Sequence, residues 1–155
     1  MYISRIKIRN WKNFKEVETP LGLRVFLIGP NASGKSNLLD VFRFLRDIAN
    51  DGLDKAVGMR NGLSAIRCLA ATRYTNVDIE AGLSEGDKEE WRYCLSLNQD
   101  NLQRPTIREE IVWRNDEELI RRPNESDKKD PLRLTQTALE QVSENLKFRE
   151  VADFF

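Results

Sequence analysis

The residues with the clearest chemical potential are spaced as Gly29-x-x-x-x-Gly34-Lys35-Ser36. Two glycines let a backbone turn sharply and approach a ligand closely, so that successive N–H groups form a concave nest around an anion. A helix that starts at this point adds its own unsatisfied amides and about half a positive charge. In such a loop Lys35 reaches the β and γ phosphates and the Ser36 hydroxyl ligates Mg²⁺. Asn31, Ala32 and Ser33 are small enough to leave the amides open, and Asn37 completes the candidate set. The chemistry predicted is binding of a nucleoside triphosphate, ATP with Mg²⁺, with no catalytic residue in the loop itself.

The elements flanking the loop have to hold it in place. Arg24–Ile28 (RVFLI) is a continuous apolar run of strand length, of the kind buried on both faces of a sheet. Beyond the loop, Leu38, Val41, Phe42, Leu45 and Ile48 recur at three and four, which predicts an amphipathic helix from about Lys35 to Ala49. Strand, glycines, lysine, hydroxyl and helix coincide in the order a phosphate-binding loop requires.

Composition bounds the rest. A chain of 155 residues is about one domain long, and it carries 25 Lys+Arg against 25 Asp+Glu. The charge is lopsided: residues 1–75 hold 13 cations and 6 anions, whereas residues 76–155 hold 12 and 19. An anion is expected on the first half. The chain has no His, which removes Ser-His-Asp and Cys-His catalysis. Cys68 and Cys94 stand alone, without a CxxC pair, which argues against zinc and against a disulfide framework. No apolar run approaches the roughly 20 residues of a membrane span, and the alternating first ten residues do not read as a secretory signal. A cytoplasmic location is expected, with no membrane partner.

Along the chain, residues 2–9 alternate as a half-buried strand, 10–15 read as a turn, and 16–19 as the return of a short ribbon ended by Pro20. With the loop and helix these make a core over 1–50. Residues 51–75 read as an irregular connection with one short helix. Period-two patterns at Val77–Leu83, Trp91–Leu97 and Thr106–Arg114, with a hairpin into Glu117–Arg121, predict an antiparallel lobe over 76–122. Residues 123–131 read as a polar loop. Leu134, Ala138, Val142 and Leu146 predict a last helix within 132–155, after which FREVADFF leads toward a further core segment. Ending on two aromatics, the sequence reads as a piece of a longer protein.

Asn10-Trp11-Lys12-Asn13-Phe14, followed by a strand and then Gly29-Pro30-Asn31-Ala32-Ser33-Gly34-Lys35-Ser36-Asn37, resembles the ATP-binding heads of the SMC/RecF group of ABC-type ATPases. In those heads an N-F-[RK]-[SN]-[FH] segment precedes a G-x-N-G-[SA]-G-K-[ST]-[NT] loop. The similarity is strongest to a bacterial branch commonly labelled AAA-family, some members of which work in anti-phage defence beside a nuclease. It is specific over residues 1–50 and thinner beyond, where Arg60-Asn61-Gly62 replaces an R-G-G. Pro30 departs from some relatives but removes only its own N–H.

The resemblance implies an α/β fold, a P-loop NTPase head of ABC type represented by its N-terminal lobe, with an antiparallel β subdomain and an incomplete core sheet. It also implies that Lys12 and Asn13 touch nucleotide, although Lys12 read without it is a turn lysine with no partner. In related heads an arginine-bearing loop after the first helix meets the γ-phosphate side or DNA, which nominates Arg60 and Arg67. The alternative is that these two pair with the acidic second half.

By the same resemblance the whole protein is an ATPase in which ATP drives head-to-head dimerisation, serving DNA-related or defence work with DNA or a partner nuclease. No apolar strand ending in Asp-Glu and no LSGGQ-like segment occurs in the sequence, so these 155 residues are expected to turn over nucleotide negligibly. Two rival readings are a DNA-binding or scaffold module that uses nucleotide as a structural switch, and a small P-loop kinase. The kinase is disfavoured by the absence of a candidate lid.

Overall fold

The computed structural model describes residues 1–70, 73–86 and 88–155. Its centre is one six-stranded antiparallel sheet in the order β2-β1-β3-β4-β5-β6. The strands are β1 (Tyr2–Trp11), β2 (Phe14–Pro20), β3 (Val77–Glu85), β4 (Lys88–Gln99), β5 (Pro105–Arg114) and β6 (Glu117–Arg122). Ile6 and Ile8 face the same side as Ile79 and Ala81, their register partners across the β1–β3 ladder. β4 adds Trp91, Tyr93, Leu95 and Leu97, and β5 adds Ile107 and Val112. The period-two pattern in the sequence is this face.

Helix α1 (Lys35–Asp51) lies on that face, with Val41, Phe44, Leu45 and Ile48 fully buried. Each such side chain contributes about 1.5–3 kcal/mol of apolar burial. Trp11 meets Phe44 with ring centroids 5.1 Å apart, so the end of β1 and the middle of α1 share one core. After α1, the described residues of the connection to β3 hold two short helices, α2 (Leu53–Gly58) and α3 (Leu63–Ile66), that pack Leu53, Ala56, Val57, Leu63 and Ile66 inward.

The opposite face of the sheet is a lattice of charge. Arg5 bonds Glu18, Glu80 and Glu89, and Lys7 pairs with Glu16 and Glu18. Arg9 stacks 3.7 Å over the Tyr74 ring. The outward β1 cations therefore have partners, Arg5 and Lys7 on neighbouring strands and Arg9 on the connection that precedes β3.

Four expectations are corrected. First, the sheet crosses the boundary drawn between 1–50 and 76–122, because β1 pairs with both β2 and β3. Second, Arg24–Ile28 is not a strand; Leu23, Phe26 and Ile28 are 81%, 84% and 93% exposed. A buried strand needs a ladder partner on each side, and none of the six described strands lies beside this segment.

Third, 123–131 contains helix α4 (Glu125–Lys129) behind a full capping box. The Asn124 side chain accepts from Ser126 and Asp127 amides while Asp127 accepts from the Asn124 amide. Fourth, the last helix expected through Leu134, Ala138, Val142 and Leu146 does not form. In its place stand 3₁₀ turns at Pro131–Thr135 and Asn145–Lys147 and a short α5 (Arg149–Phe154). Carboxylates from elsewhere and within capture the amides that a helix would use: Ala138 N–H donates to Glu110 and Thr137 N–H to Glu140. Only Ala138 of the four spaced apolar residues is fully buried.

Candidate functional site

The loop is built against the β1–β2 hairpin. Two non-glycine residues there, Asn10 and Lys12, take left-handed φ values of 59° and 50° on either side of Trp11. Asn10 is buried and pays for that geometry with three hydrogen bonds: its amide donates to the carbonyls of Tyr74 and Asn76, and its carbonyl accepts from Cys68 N–H. The backbone N–H of Lys12 donates to Ile66 O at 2.6 Å. Held in this way, the turn points Trp11 and Asn13 at the start of α1. The Trp11 indole N–H donates to Asn37 O at 3.0 Å, and Asn37 Nδ2 donates to Asn13 Oδ1 at 2.8 Å.

Gly34 fits beneath this clamp, where any larger residue would have to displace the Asn13 or Phe14 side chain. It is buried at φ +98°, and a Cβ placed on it would lie 2.5 Å from Asn13 Nδ2 and 3.0 Å from Phe14 Cζ. The second loop glycine is thus required twice, by its dihedral and by its neighbours. Ala32 is also left-handed, at φ 64°, and the Ser33 amide closes a turn on Pro30 O at 3.3 Å.

α1 then begins without a side-chain cap and without an acidic residue in its first turn. Among the described residues, the amides of Gly34, Lys35 and Ser36 have no protein acceptor. Unpaired amides at the start of a 17-residue helix form a positive end, with no acidic residue in the first turn to neutralise it. The Lys35 ammonium folds back over the loop and donates to Gly29 O at 2.7 Å, Pro30 O at 2.6 Å and Ser33 Oγ at 3.3 Å. All three acceptors are neutral, so its charge is uncompensated. Ser36 is exposed at the lip.

The nominated residues therefore divide. Gly29, Asn31, Ala32, Ser33, Gly34, Lys35, Ser36, Asn37 and Asn13 form one continuous patch. Lys12 adjoins it but turns its ammonium toward Ala65 O, at 3.5 Å. Arg60 and Arg67 are engaged elsewhere. Arg60 binds Asp40 and Asp47 on α1, so its partners are neither the loop nor the acidic second half. Arg67 donates to Asn98 Oδ1 on β4 and keeps a buried Nε without an acceptor. Asn10 and Trp11 stand in the segment that carries the family resemblance but are not among the nominated site residues, because an indole or amide aimed at a backbone carbonyl leaves no spacing pattern.

A second polar centre lies under the sheet. Arg122, Glu110 and Asp127 are essentially inaccessible to solvent. Arg122 bonds both carboxylates and the carbonyls of Gln136 and Arg133. Glu110 also accepts from Tyr93 Oη and Ala138 N–H. Burial pushes the Glu110 carboxyl up from its ordinary range despite those donors. Nearby Glu140 accepts from Leu53 N–H at 2.6 Å, and burial raises its pKa to about 7.

Comparison with known proteins places this geometry. Residues 24–154 match the family described as "AAA domain, putative AbiEii toxin, Type IV TA system". Residues of the chain are 44% identical over 46 positions to the DNA replication and repair protein RecF of Lactobacillus gasseri, covering 29% of this chain and 12% of that protein. They are 33% identical over 91 positions to RecF of Brucella abortus, covering 54% of this chain and 23% of that protein. The chain thus spans less than a quarter of the length of these relatives.

Among solved structures, one reported under "Structural biochemistry of ATP-driven dimerization and DNA stimulated activation of SMC ATPases" superposes with a TM-score of 0.51. It shares 17% identity over 77% of this chain and 73% of that one, a likeness of fold. No helix among the described residues is long and apolar enough to cross a membrane. With the family pattern running from before the phosphate loop to α5, the chain belongs to this AAA-domain family.

Proposed function

We propose that residues 29–37 bind ATP with Mg²⁺ and that this binding is the chain's contribution to an ATPase. One observation carries the reading: an uncapped helix end, reached through a left-handed glycine closely covered by Asn13 and Phe14, stands beside a lysine whose ammonium has only neutral acceptors. A triphosphate supplies the negative charge that this end of α1 lacks.

The residues fit the ligand. Gly34, Lys35 and Ser36 amides cradle phosphate oxygens, Lys35 leaves its loop carbonyls for the β and γ phosphates, and Ser36 offers one oxygen to the cation. Among the described residues no cluster of three acidic, His or Cys side chains could hold a metal unaided, so the cation enters with the nucleotide. A Mg²⁺ held there through the Ser36 hydroxyl would supply positive charge to offset that of the phosphates. Asn13 fixes the second glycine from above, while Lys12 lies at the same rim.

Turnover needs an acidic pair behind an apolar strand, which this sequence does not contain, so hydrolysis draws on residues from further chain or a partner head. The exposed apolar segment 23–28 and the groove beside it, lined by Ile3, Leu21, Leu38 and Phe42, support a larger assembly around the loop. Dimerisation of two heads on ATP, coupled to DNA or to a nuclease in defence, is the role proposed for the whole protein.

Titration of a fluorescent ATP analogue with and without Mg²⁺ tests the core of the proposal. Lys35→Ala removes charge-assisted hydrogen bonds of roughly 1.5–3 kcal/mol each and lowers affinity about 100-fold or more, with folding unchanged. Equal affinity in parent and variant would overturn it.

A further inference from the structure

Arg60 lies outside the phosphate loop, yet its surroundings tie it to that loop. Its side chain is 8% exposed. Nε and Nη2 bond Asp40, Nη2 also bonds Asp47 at 2.9 Å, and Nη1 donates to Ala56 O at 2.8 Å. The guanidinium sits over the Phe44 ring, 5.0 Å from its centroid. Asp40, Phe44 and Asp47 form one stripe on α1, and the two aspartates are about 10 Å apart along the helix axis. Asp47 is also paired with Arg46, so the cluster is two cations against two anions. One planar fork therefore grips α1 at two points and joins it to the C-terminal turn of α2, a geometry that lysine cannot reproduce.

The grip falls where α1 most needs it. Its fully buried side chains begin at Val41, and Leu39 is 43% exposed. Ahead of Val41, the helix is held on one side by Trp11 and Asn13 at Asn37. On the other side it is held by Arg60 at Asp40, one turn beyond Ser36. Lys35 and Ser36 stand at the tip of this doubly held segment.

We infer that Arg60 is a positioning residue for the loop, acting through Asp40 to fix the first turns of α1 and with them the ammonium of Lys35 and the hydroxyl of Ser36. The inference rests on the nucleotide reading and deepens it. It also separates Arg60 from a phosphate ligand: a guanidinium bonded to two carboxylates and stacked on a ring is not free to reach an anion.

The test uses the whole chain as parent, Arg60→Met, Arg60→Lys, Asp40→Asn and the Arg60→Met/Asp40→Asn pair. Hydrogen exchange is followed in the ligand-free proteins, and affinity is measured with the fluorescent ATP analogue and Mg²⁺. Removing the grip speeds exchange of the amides of Leu38 to Phe42 about 10-fold and leaves β3 amides unchanged. Affinity falls about 10-fold in each single variant and no further in the pair, because both changes cut one connection. Lysine at position 60 recovers little of either.

Unchanged exchange in α1 overturns the inference, as does faster exchange with parental affinity. Parental or tighter binding by Asp40→Asn beside lost binding in Arg60→Met also overturns it, since that pattern means direct contact with phosphate. If Arg60→Met fails to fold, Arg60→Lys and Asp40→Asn carry the same comparison. If the parent binds no nucleotide, the reading of the loop fails, and with it the claim that Arg60 serves a ligand. The exchange data then still report separately whether Arg60 holds α1.

Discussion

The loop at 29–36 and the cluster around Arg122 each organise a cation among oxygen atoms, and they do so in opposite ways. Arg122 is enclosed and uses all three guanidinium nitrogens, two carboxylates and two carbonyls. The helix beside it, α4, is only five residues long and is fully capped. Lys35 lies near the surface with neutral acceptors only, at the uncapped start of a 17-residue helix. A satisfied network in a low-dielectric interior rigidifies the fold, whereas unsatisfied donors at a surface remain available to an incoming anion. Burial with complete pairing marks the structural centre, and exposure with incomplete pairing marks the binding centre.

The sharpest way to break this contrast is to substitute at the buried centre. Arg122→Met leaves Glu110 an enclosed carboxylate without its cation and Asp127 with Arg133 alone, and removing one partner of such a buried pair costs about 3–5 kcal/mol. Urea unfolding should show the unfolding free energy falling by that amount, read as a lower midpoint at constant slope. The molecules that stay folded should bind the ATP analogue as the parent does. A matching loss of affinity would mean that the two centres are coupled and the contrast is false.

A smaller effect is expected at the loop itself. Gly34→Ala places a methyl group 2.5 Å from Asn13 Nδ2 at a φ of +98°. Strain of this kind costs about 1–3 kcal/mol. Relief requires Asn13 to move off Asn37, so binding should weaken by more than the stability loss accounts for. The check is to compare the analogue's affinity with the unfolding midpoint of the same variant. A variant that lost stability alone would show that the hairpin clamp has no bearing on the ligand.

How much of this was legible beforehand depends on whether the information was local. The loop, α1 and the strands at 77–83 and 91–97 follow from residue spacing, because periodic burial writes itself into the sequence. Arg24–Ile28 shows the limit of that rule: an apolar run encodes a wish to be covered but not the presence of a partner strand. The last helix failed for a different reason. Leu134, Ala138, Val142 and Leu146 have helical spacing, yet Glu110, distant in sequence, and Glu140 capture the amides of Ala138 and Thr137. The box at Asn124 and Asp127 was local and readable, and was obscured only by the polarity of its surroundings. Arg60 could not have been placed at all, since Asp40 and Asp47 are 20 and 13 residues away.

The mildest prediction concerns Glu140, which sits between the two regimes, partly buried yet accepting the amides of Leu53 and Thr137. Burial lifts its pKa from 4.5 to about 7, with the Glu110 charge adding to the effect and those amides opposing it. The folded state then holds a proton that the unfolded chain has released throughout the interval from about 4.5 to 7. Stability changes with pH as the difference in bound protons between unfolded and folded states, and here that difference is negative. Glu140 therefore favours the fold most below about pH 4.5 and progressively less as the pH rises to 7, the reverse of a salt-bridged carboxylate such as Asp127, which its partners Arg122 and Arg133 hold low. Solvent access to the group tempers the size of the effect. Glu140→Gln cannot titrate, so the unfolding free energy of the parent minus that of the variant, measured by urea at several pH values, should decline across this interval and then level off. A difference that rose with pH would mean that Glu140 is held as an anion by its two amides, as a binding centre would hold it, and not neutralised by enclosure.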